Sequence, residues 1–377
     1  MTFDWLIVGA GYAGSVMAER IASVRNQSVL LIDRRDHIAG NAFDTLDPHG
    51  VLIHRYGPHV FHTNSVRVWD YLSQFTEWRP YQHRALGLVD GQLIPVPFNL
   101  QSLRQLWPPD AAAALQARLI AEYGMDVKVP ILRMLEHPDP EIQHLARFIY
   151  DNVFAGYTRK QWDLEPRQLD PSVMARVPVH VSEDDRYFQD RFQALPRDGY
   201  TAMFQRMLSH PNIQLRLNTD YRALPPGLEW RRMVYTGPVD EFFEHRHGRL
   251  PYRSLRFEFP HVPAAQHQPC GQVNYPNTEL FTRVSEFKHM TGQEIAGTTL
   301  AVEYPQPHEP GCNEPYYPVP RPESAVIHEK YQAEVAALSG TTIFIGRLAD
   351  YRYYNMDQVV ARALKVFEDS VEPLDRD

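Results

Sequence analysis

The sequence predicts an α/β fold: a nucleotide-binding domain on a parallel sheet, a helical insertion, and a mixed or antiparallel β-sheet domain. Three observations predict it. A glycine-rich turn separates two apolar, strand-like runs at the amino end, residues 101–150 are helix-biased, and residues 250–320 alternate and are rich in aromatics and proline. A length of 377 residues suits about two to three domains. With 44% hydrophobic and 22% charged residues, disorder is excluded as the main state. The net charge of −8 argues against a general nucleic-acid binder. Cys270 and Cys312 are too few for a disulfide framework or a Cys-rich zinc site. The longest uncharged apolar stretch, Trp5 to Ala18, is interrupted by three glycines and falls short of the ~18 residues a membrane helix needs. A cytoplasmic protein with no membrane and no nucleic-acid partner is the expectation.

The first element is an apolar run, Phe3 to Val8, which stops at Gly9-Ala10-Gly11-Tyr12-Ala13-Gly14. A helical stretch follows from Ser15 to Ile21, and Ser28 to Asp33 reads as a second buried strand ending in an acid. A lone GxGxxG is weak evidence. In a strand–turn–helix–strand frame, with Asp33 nineteen residues past Gly14, it predicts a Rossmann-like dinucleotide site. Gly9 allows the tight turn, Gly11 lets the backbone approach a pyrophosphate, and Gly14 lets helix and strand pack closely. Asp33 is the acceptor for ribose hydroxyls. The neighbouring Arg34 and Arg35 raise the option of a 2′-phosphate, which Asp33 would repel, so FAD or NAD fits better.

Two later elements lean towards FAD. Gly40 and Asn41 form a turn soon after the second strand, where simple NAD enzymes run straight into a helix. Thr342 to Ile345 reads as a strand ending in Gly346-Arg347, and Asn355-Met356-Asp357 opens a helix with Val359, Val360, Ala363, Leu364 and Phe367 at helical spacing. The amino end of such a helix favours negative charge on a reduced flavin. Between these ends, Pro95 to Leu100 reads as a crossing loop and Arg176 to Val181 as strand and turn. Residues 197–240 read as a return to the nucleotide domain, with a helix through Met203 to Leu208 and a strand at Met233 to Tyr235. His54, His59 and His62 lie close together but lack an accompanying carboxylate motif, so hydrogen-bonding roles are expected and no metal.

The motifs resemble one family over the whole chain: bacterial UDP-galactopyranose mutase. They are GAGYAG, Gly40-Asn41-Ala42, the run Tyr56 to Asn64, Gly156-Tyr157-Thr158-Arg159-Lys160-Gln161-Trp162, Arg176 to Val179, and Asp185 to Arg191. Tyr235 to Pro238, Tyr252 to Leu255, Phe281-Thr282-Arg283, Glu314-Pro315-Tyr316-Tyr317-Pro318 and Gly346 to Tyr351 continue the order. The resemblance implies a flavoprotein isomerase that interconverts UDP-galactopyranose and UDP-galactofuranose. In it, N5 of reduced FAD attacks the anomeric carbon as UDP leaves.

Carried over position by position, the resemblance implies Arg176 and Arg283 as the cations beside the diphosphate, with Arg176 on a segment that closes over it. It implies His59 against the flavin, and a cofactor set of Gly9, Gly11, Gly14, Asp33, Arg34, Gly40, Asn41, Gly346, Arg347, Asn355 and Met356. The implied substrate set adds His83, Phe154, Tyr157, Trp162, Tyr187, Asn274, Tyr316, Tyr353 and Asn355. A homodimer is implied as well. Domain limits follow: 1–80, 197–240 and 321–377 for FAD; 98–165 for the helical insertion; 81–97, 166–196 and 241–320 for the β-sheet substrate domain. Ala39, Pro58, His83 and Asn355 depart from residues common in the family. An amine-oxidase-like or desaturase-like FAD oxidoreductase, and a non-enzymatic binder on a degenerate flavin fold, are the alternatives. Taken without the resemblance, Tyr157 and Trp162 read as packing and Arg176 as a surface cation.

Overall fold

The computed structural model describes residues 2–165, 178–319 and 321–371. Its first sheet has five parallel strands in the order Ile213–Arg216, Val29–Ile32, Thr2–Val8, Glu229–Tyr235 and Thr342–Phe344. Both faces are covered at the centre of the sheet, so Val29–Ile32 and the carboxyl halves of Thr2–Val8 and Glu229–Tyr235 are apolar at successive positions, while the edge strand Ile213–Arg216 alternates apolar and polar residues. Trp5, Ile7, Val29 and Leu31 face one core, packed against the helices Tyr12–Arg25 and Met356–Ser370. Leu6, Leu30 and Ile32 face the other, with Tyr331 of the helix Pro322–Ala337 and Phe243. Chain turns of period two deliver this division, because successive strand side chains point to opposite faces.

Glycine sets the geometry where the first strand becomes a helix. Gly9 has φ +104°, and a Cβ there would lie 2.1 Å from Thr236 Oγ1. A Cβ on Gly14 would lie 1.9 Å from the Gly9 carbonyl oxygen, so the helix approaches the strand only because that position is bare.

The second sheet runs Tyr317–Pro318, Tyr252–Glu258, Thr298–Pro307, Arg283–Glu286, Gln272–Asn274, Ala85–Val89 and Gln92–Val96, with His261–Val262 paired to the long strand Thr298–Pro307. Only the Gln272–Asn274 and Ala85–Val89 pair is parallel, so this sheet is mixed. The helical insertion packs Leu100, Leu103, Leu119, Ile131, Leu145 and Ile149 into a separate core.

Several expectations need correction. Pro95 is not in a loop: it sits in the strand Gln92–Val96, paired with Leu86, and Leu100 already begins a helix capped by Asn99. Proline is tolerated because this strand lies at the sheet edge. The described part of 166–196 does not join the large sheet. Val179–Val181 pairs with Val127–Val129 inside the helical insertion, and Phe192–Pro196 pairs with Phe61–Thr63 and Trp78–Pro80. The strand Ile213–Arg216, which the sequence did not reveal, is an edge of the parallel sheet and pairs, among the described residues, with Val29–Ile32 alone.

Candidate active site

The carboxyl ends of the parallel strands open into a long cleft lined by Gly9, Gly11, Asp33, Arg34, Gly40, Asn41, His59, Tyr316, Gly346, Arg347 and Met356. This is where a doubly wound sheet offers a ligand site. Gly11 and Gly40 meet across it: a Cβ on Gly40 would lie 2.9 Å from the Gly11 Cα. Asp33 accepts from the backbone N–H groups of Ala10 (2.8 Å) and Arg35 (2.9 Å), which pins the carboxylate against the glycine turn. Gly14 does not line the cleft; it sets the helix–strand approach. Asn355 caps the late helix, its backbone N–H donating to Gln358 Oε1 (2.9 Å), while Met356 and Val359 reach the cleft. Tyr12 also lines it, and its buried hydroxyl has no hydrogen-bond partner among the described residues. A bare glycine cradle, an acid beside it and an orphan hydroxyl fit a bound dinucleotide.

His59 is held by three contacts. Its Nδ1 lies 2.8 Å from the Gly57 carbonyl, which can only accept, so Nδ1 carries the proton and Nε2 is left as acceptor. Its backbone N–H donates to His54 Nδ1 (3.0 Å), and its carbonyl accepts from Tyr200 Oη (3.1 Å). Burial, aided by His54 and the cations of Arg347 and Arg283, pushes the His59 imidazole down to about 3. It is therefore neutral at pH 7. His62, the third of the trio, pairs with Asp190 instead (3.0 Å).

Beyond His59 the cleft meets a tyrosine-rich region. Arg283 forks onto Glu303, with Nε and Nη2 2.8 and 2.6 Å from Oε2. Glu303 is 1% exposed and its other oxygen accepts from Thr282 Oγ1 (3.0 Å). Burial opposes a charged Arg283, but Glu303 outweighs it, so the guanidinium stays a cation. Tyr317 stacks on Tyr353 at 5.1 Å, Trp162 lies 6.2 and 6.1 Å from the two, and the Arg347 guanidinium sits over both rings at 5.4 and 5.5 Å. Burial raises the hydroxyls of Tyr157, Tyr316 and Tyr317, so all three stay protonated donors.

The remaining expected residues divide. Asn274 lies directly opposite Arg283 in the sheet. His83 is buried, with Tyr187 5.5 Å away and the Tyr187 N–H donating to its carbonyl (2.7 Å). Phe154 packs in the helical core, in the π-helical turn Tyr150–Ala155 that leads into the helix Gly156–Trp162. Arg176 lies outside the described residues.

Four residues of this region were not singled out as site residues. Glu303 carried no signal in its spacing: the first four residues of the strand Thr298–Pro307 are all buried, without alternation, and Glu303 meets Arg283 only across the sheet. Tyr317 adjoins Tyr316 in the same motif, and Tyr12 lies inside the glycine turn. Glu314 carried none. Its Oε2 accepts from Arg34 Nη2 (2.8 Å) and Arg35 Nη2 (2.9 Å). Burial would raise this carboxyl, yet the Arg35 and Arg34 cations hold it at about 2. Among the described residues, no group of three or more His, Cys, Asp or Glu side chains is placed to hold a metal ion, and no helix is long and apolar enough to cross a membrane.

Comparison with known proteins bears on this arrangement. The family profile described as UDP-galactopyranose mutase matches residues 152–353, and that of an NAD(P)-binding Rossmann-like domain matches residues 7–75. A probable UDP-galactopyranose mutase of Klebsiella pneumoniae is 36% identical over 371 residues, spanning 97% of this chain and 94% of that protein. The chain belongs to the UDP-galactopyranose mutase family. A second similar protein is the dTDP-fucopyranose mutase of Escherichia coli, 33% identical over 96% of each chain. A crystal structure of reduced UDP-galactopyranose mutase superimposes with a TM-score of 0.73 at 16% identity, covering 100% of this chain and 96% of that one. At that identity the likeness speaks to the mutase fold alone.

Proposed function

We propose that this mutase interconverts the pyranose and furanose forms of UDP-galactose and that the cleft holds FAD in its reduced state. The observation that carries the reading is the Arg283–Glu303 pair among protonated tyrosines, of which Tyr316 also lines the dinucleotide cleft. Bound and reduced, FAD supplies a nucleophile for the anomeric carbon, so the isomerisation needs no net oxidation. The chain's own residues handle the charge of the departing diphosphate. Arg283 is a fixed cation, and preorganised donors aimed at developing charge are the largest single source of acceleration in such sites. Tyr157, Tyr316, Tyr317 and Tyr353 supply hydroxyl donors, Trp162 and Tyr187 stacking surface, and Asn274 and His83 polar contact.

Arg176 is read as the second cation. His59, neutral with Nε2 as acceptor, faces the cofactor side without adding positive charge. Gly9, Gly11, Gly40, Asn41, Asp33, Arg34, Gly346, Arg347 and the Asn355–Met356 helix start are read as the FAD set. The homodimer, the cytoplasmic location and the domain limits, with the described 178–196 strands reassigned, belong to the same reading. An oxidoreductase on this fold would want a dry apolar cage, which a buried ion pair and several hydroxyls do not make.

The test is conversion of UDP-galactofuranose by flavin-loaded protein with and without dithionite, run in parallel with dTDP-fucofuranose. Turnover of the UDP sugar only after reduction is expected. Turnover confined to the dTDP sugar would move the substrate assignment, and steady oxygen consumption with an amine would replace the reading.

A further inference from the structure

His59 lies in the loop between the strands Leu52–His54 and Phe61–Thr63, outside both. Its peptide groups still need partners, and two buried side chains supply them. The His59 N–H donates to His54 Nδ1 (3.0 Å), and its carbonyl accepts from Tyr200 Oη (3.1 Å). His54 is 1% exposed and Tyr200 fully buried. Their rings meet edge to face at 5.6 Å.

One two-stranded ribbon frames both holds. In the pair Asp44–Leu46 and Leu52–His54, Asp44 stands opposite His54. Asp44 Oδ2 accepts from the Tyr200 N–H (2.6 Å) and Oδ1 from the Thr201 N–H (2.8 Å), which fixes the start of the helix Tyr200–Met207. The donors and acceptors are unambiguous. A backbone N–H can only donate, so His54 Nδ1 is bare. Burial holds the His54 imidazole at about 3, so it stays bare at pH 7. The Gly57 carbonyl can only accept, which leaves His59 Nε2 as the acceptor of a ring that lines the cleft. Asp44, His54 and Tyr200 do not line it, so whatever they do to a cofactor passes through His59.

We infer that His54 and Tyr200 are positioning residues: by holding the N–H and the carbonyl of His59, they set where its Nε2 acceptor stands against the flavin. This rests on the proposed function, in which a flavin occupies the cleft beside His59. A loop residue released at one of these two groups can swing about the other, so both holds are needed. The effect belongs to the chemical step, because neither side chain reaches the sugar's part of the cleft.

The test uses flavin-loaded protein, with kcat and KM for UDP-galactofuranose, the absorption spectrum of the bound flavin and the urea midpoint. Tyr200→Phe removes one hydroxyl and keeps the ring packing. His54→Leu removes the acceptor at similar volume. Each should lower kcat about three- to tenfold, change KM by less than about twofold and shift the flavin bands. His54→Asn places Oδ1 where Nδ1 stood, so it should restore kcat and spectrum relative to His54→Leu, even if its urea midpoint stays low. The deciding measurement is a double-mutant cycle. In a His59→Ala background, Tyr200→Phe and His54→Leu should neither lower kcat further nor move the flavin bands, although both still cost stability. The inference is overturned if either effect persists at full size in that background, or if His54→Asn is no better than His54→Leu. Wild-type protein that holds flavin but converts only another nucleotide sugar would sink the substrate assignment, and the spectra of the same variants would then decide this inference. Wild-type protein that takes up no flavin would overturn both.

Discussion

Ala39 adopts φ +70°, a left-handed conformation that L-residues with a Cβ enter at a cost of about 1–2 kcal/mol. It stays there because its N–H donates to the Ala10 carbonyl (2.9 Å), tying the second turn to the glycine loop. Glycine relieves the strain but loses about 0.5–1 kcal/mol to unfolded-state freedom. Ala39→Gly should therefore stabilise the protein by up to about 1 kcal/mol, read by urea unfolding. A clear loss would mean the methyl group packs better than it is strained.

Charged partners matter more at Arg283. Removing the side chain strands a buried carboxylate, at a cost of about 3–5 kcal/mol of stability. Arg283→Lys is the cleaner probe, since it keeps the charge and loses the fork. A ten- to hundredfold fall in kcat/KM, of the order expected for lost charge-assisted hydrogen bonds, should come with unchanged flavin content. Wild-type turnover would remove Arg283 from the site.

His54 and His59 are both held at about 3, below an unfolded value of about 6.5. Below pH 6.5 the unfolded chain binds protons that the folded chain refuses, so stability rises with pH there. Their contribution is full above about pH 7 and is lost as pH falls from about 6.5 towards 3. Urea midpoints across this range should fall with acid, less steeply in His54→Gln.

At the scale of elements, the helix Gly156–Trp162 carries Tyr157 and Trp162, and three contacts seat it. Lys160 Nζ donates to the carbonyls of Tyr275, Glu279 (3.0 Å) and Phe281 (3.1 Å). Arg253 Nε donates to the carbonyl of the next residue, Gln161 (2.9 Å). A Cβ on Gly156 would lie 2.3 Å from the Pro276 carbonyl oxygen. Gly156→Ala should push the helix off its loop, at about 1–3 kcal/mol of stability, and raise KM while bound flavin persists. An unchanged KM would show that the two rings do not depend on this seat.

Legibility in the sequence followed locality. The turn from Gly9 to Gly14, the acid at Asp33 and the helix from Met356 could be read because each signal lies within one strand–helix unit. Three-residue strands such as Val179–Val181 carry no mark of which sheet they join, and that is where the domain limits went wrong. Tyr157 and Trp162 were legible only through the family resemblance, since aromatic residues on a short helix look like packing. Glu303 meets Arg283 across a sheet, and Glu314 meets Arg34 and Arg35 from 280 and 279 residues away in sequence. No pattern of spacing encodes such pairings.

Across the whole molecule, Glu314 fastens the strand region of the second sheet to the loop after Val29–Ile32, at the rim of the dinucleotide cleft. Glu314→Gln should weaken that fastening. Flavin fluorescence recovery on dilution should report faster release than in wild type, with the gap narrowing as salt rises and exposed charges are screened. Equal release rates at low salt would count against the role. The parallel sheet has a consequence for synthesis. Its two opening strands leave the ribosome well before their neighbours exist: Val29–Ile32 about 180 residues before Ile213–Arg216, and Thr2–Val8 about 220 before Glu229–Tyr235. At ~5–20 residues per second, their apolar faces wait roughly 10–40 s for cover. A nascent chain stalled in that interval is therefore a natural client for a holding chaperone.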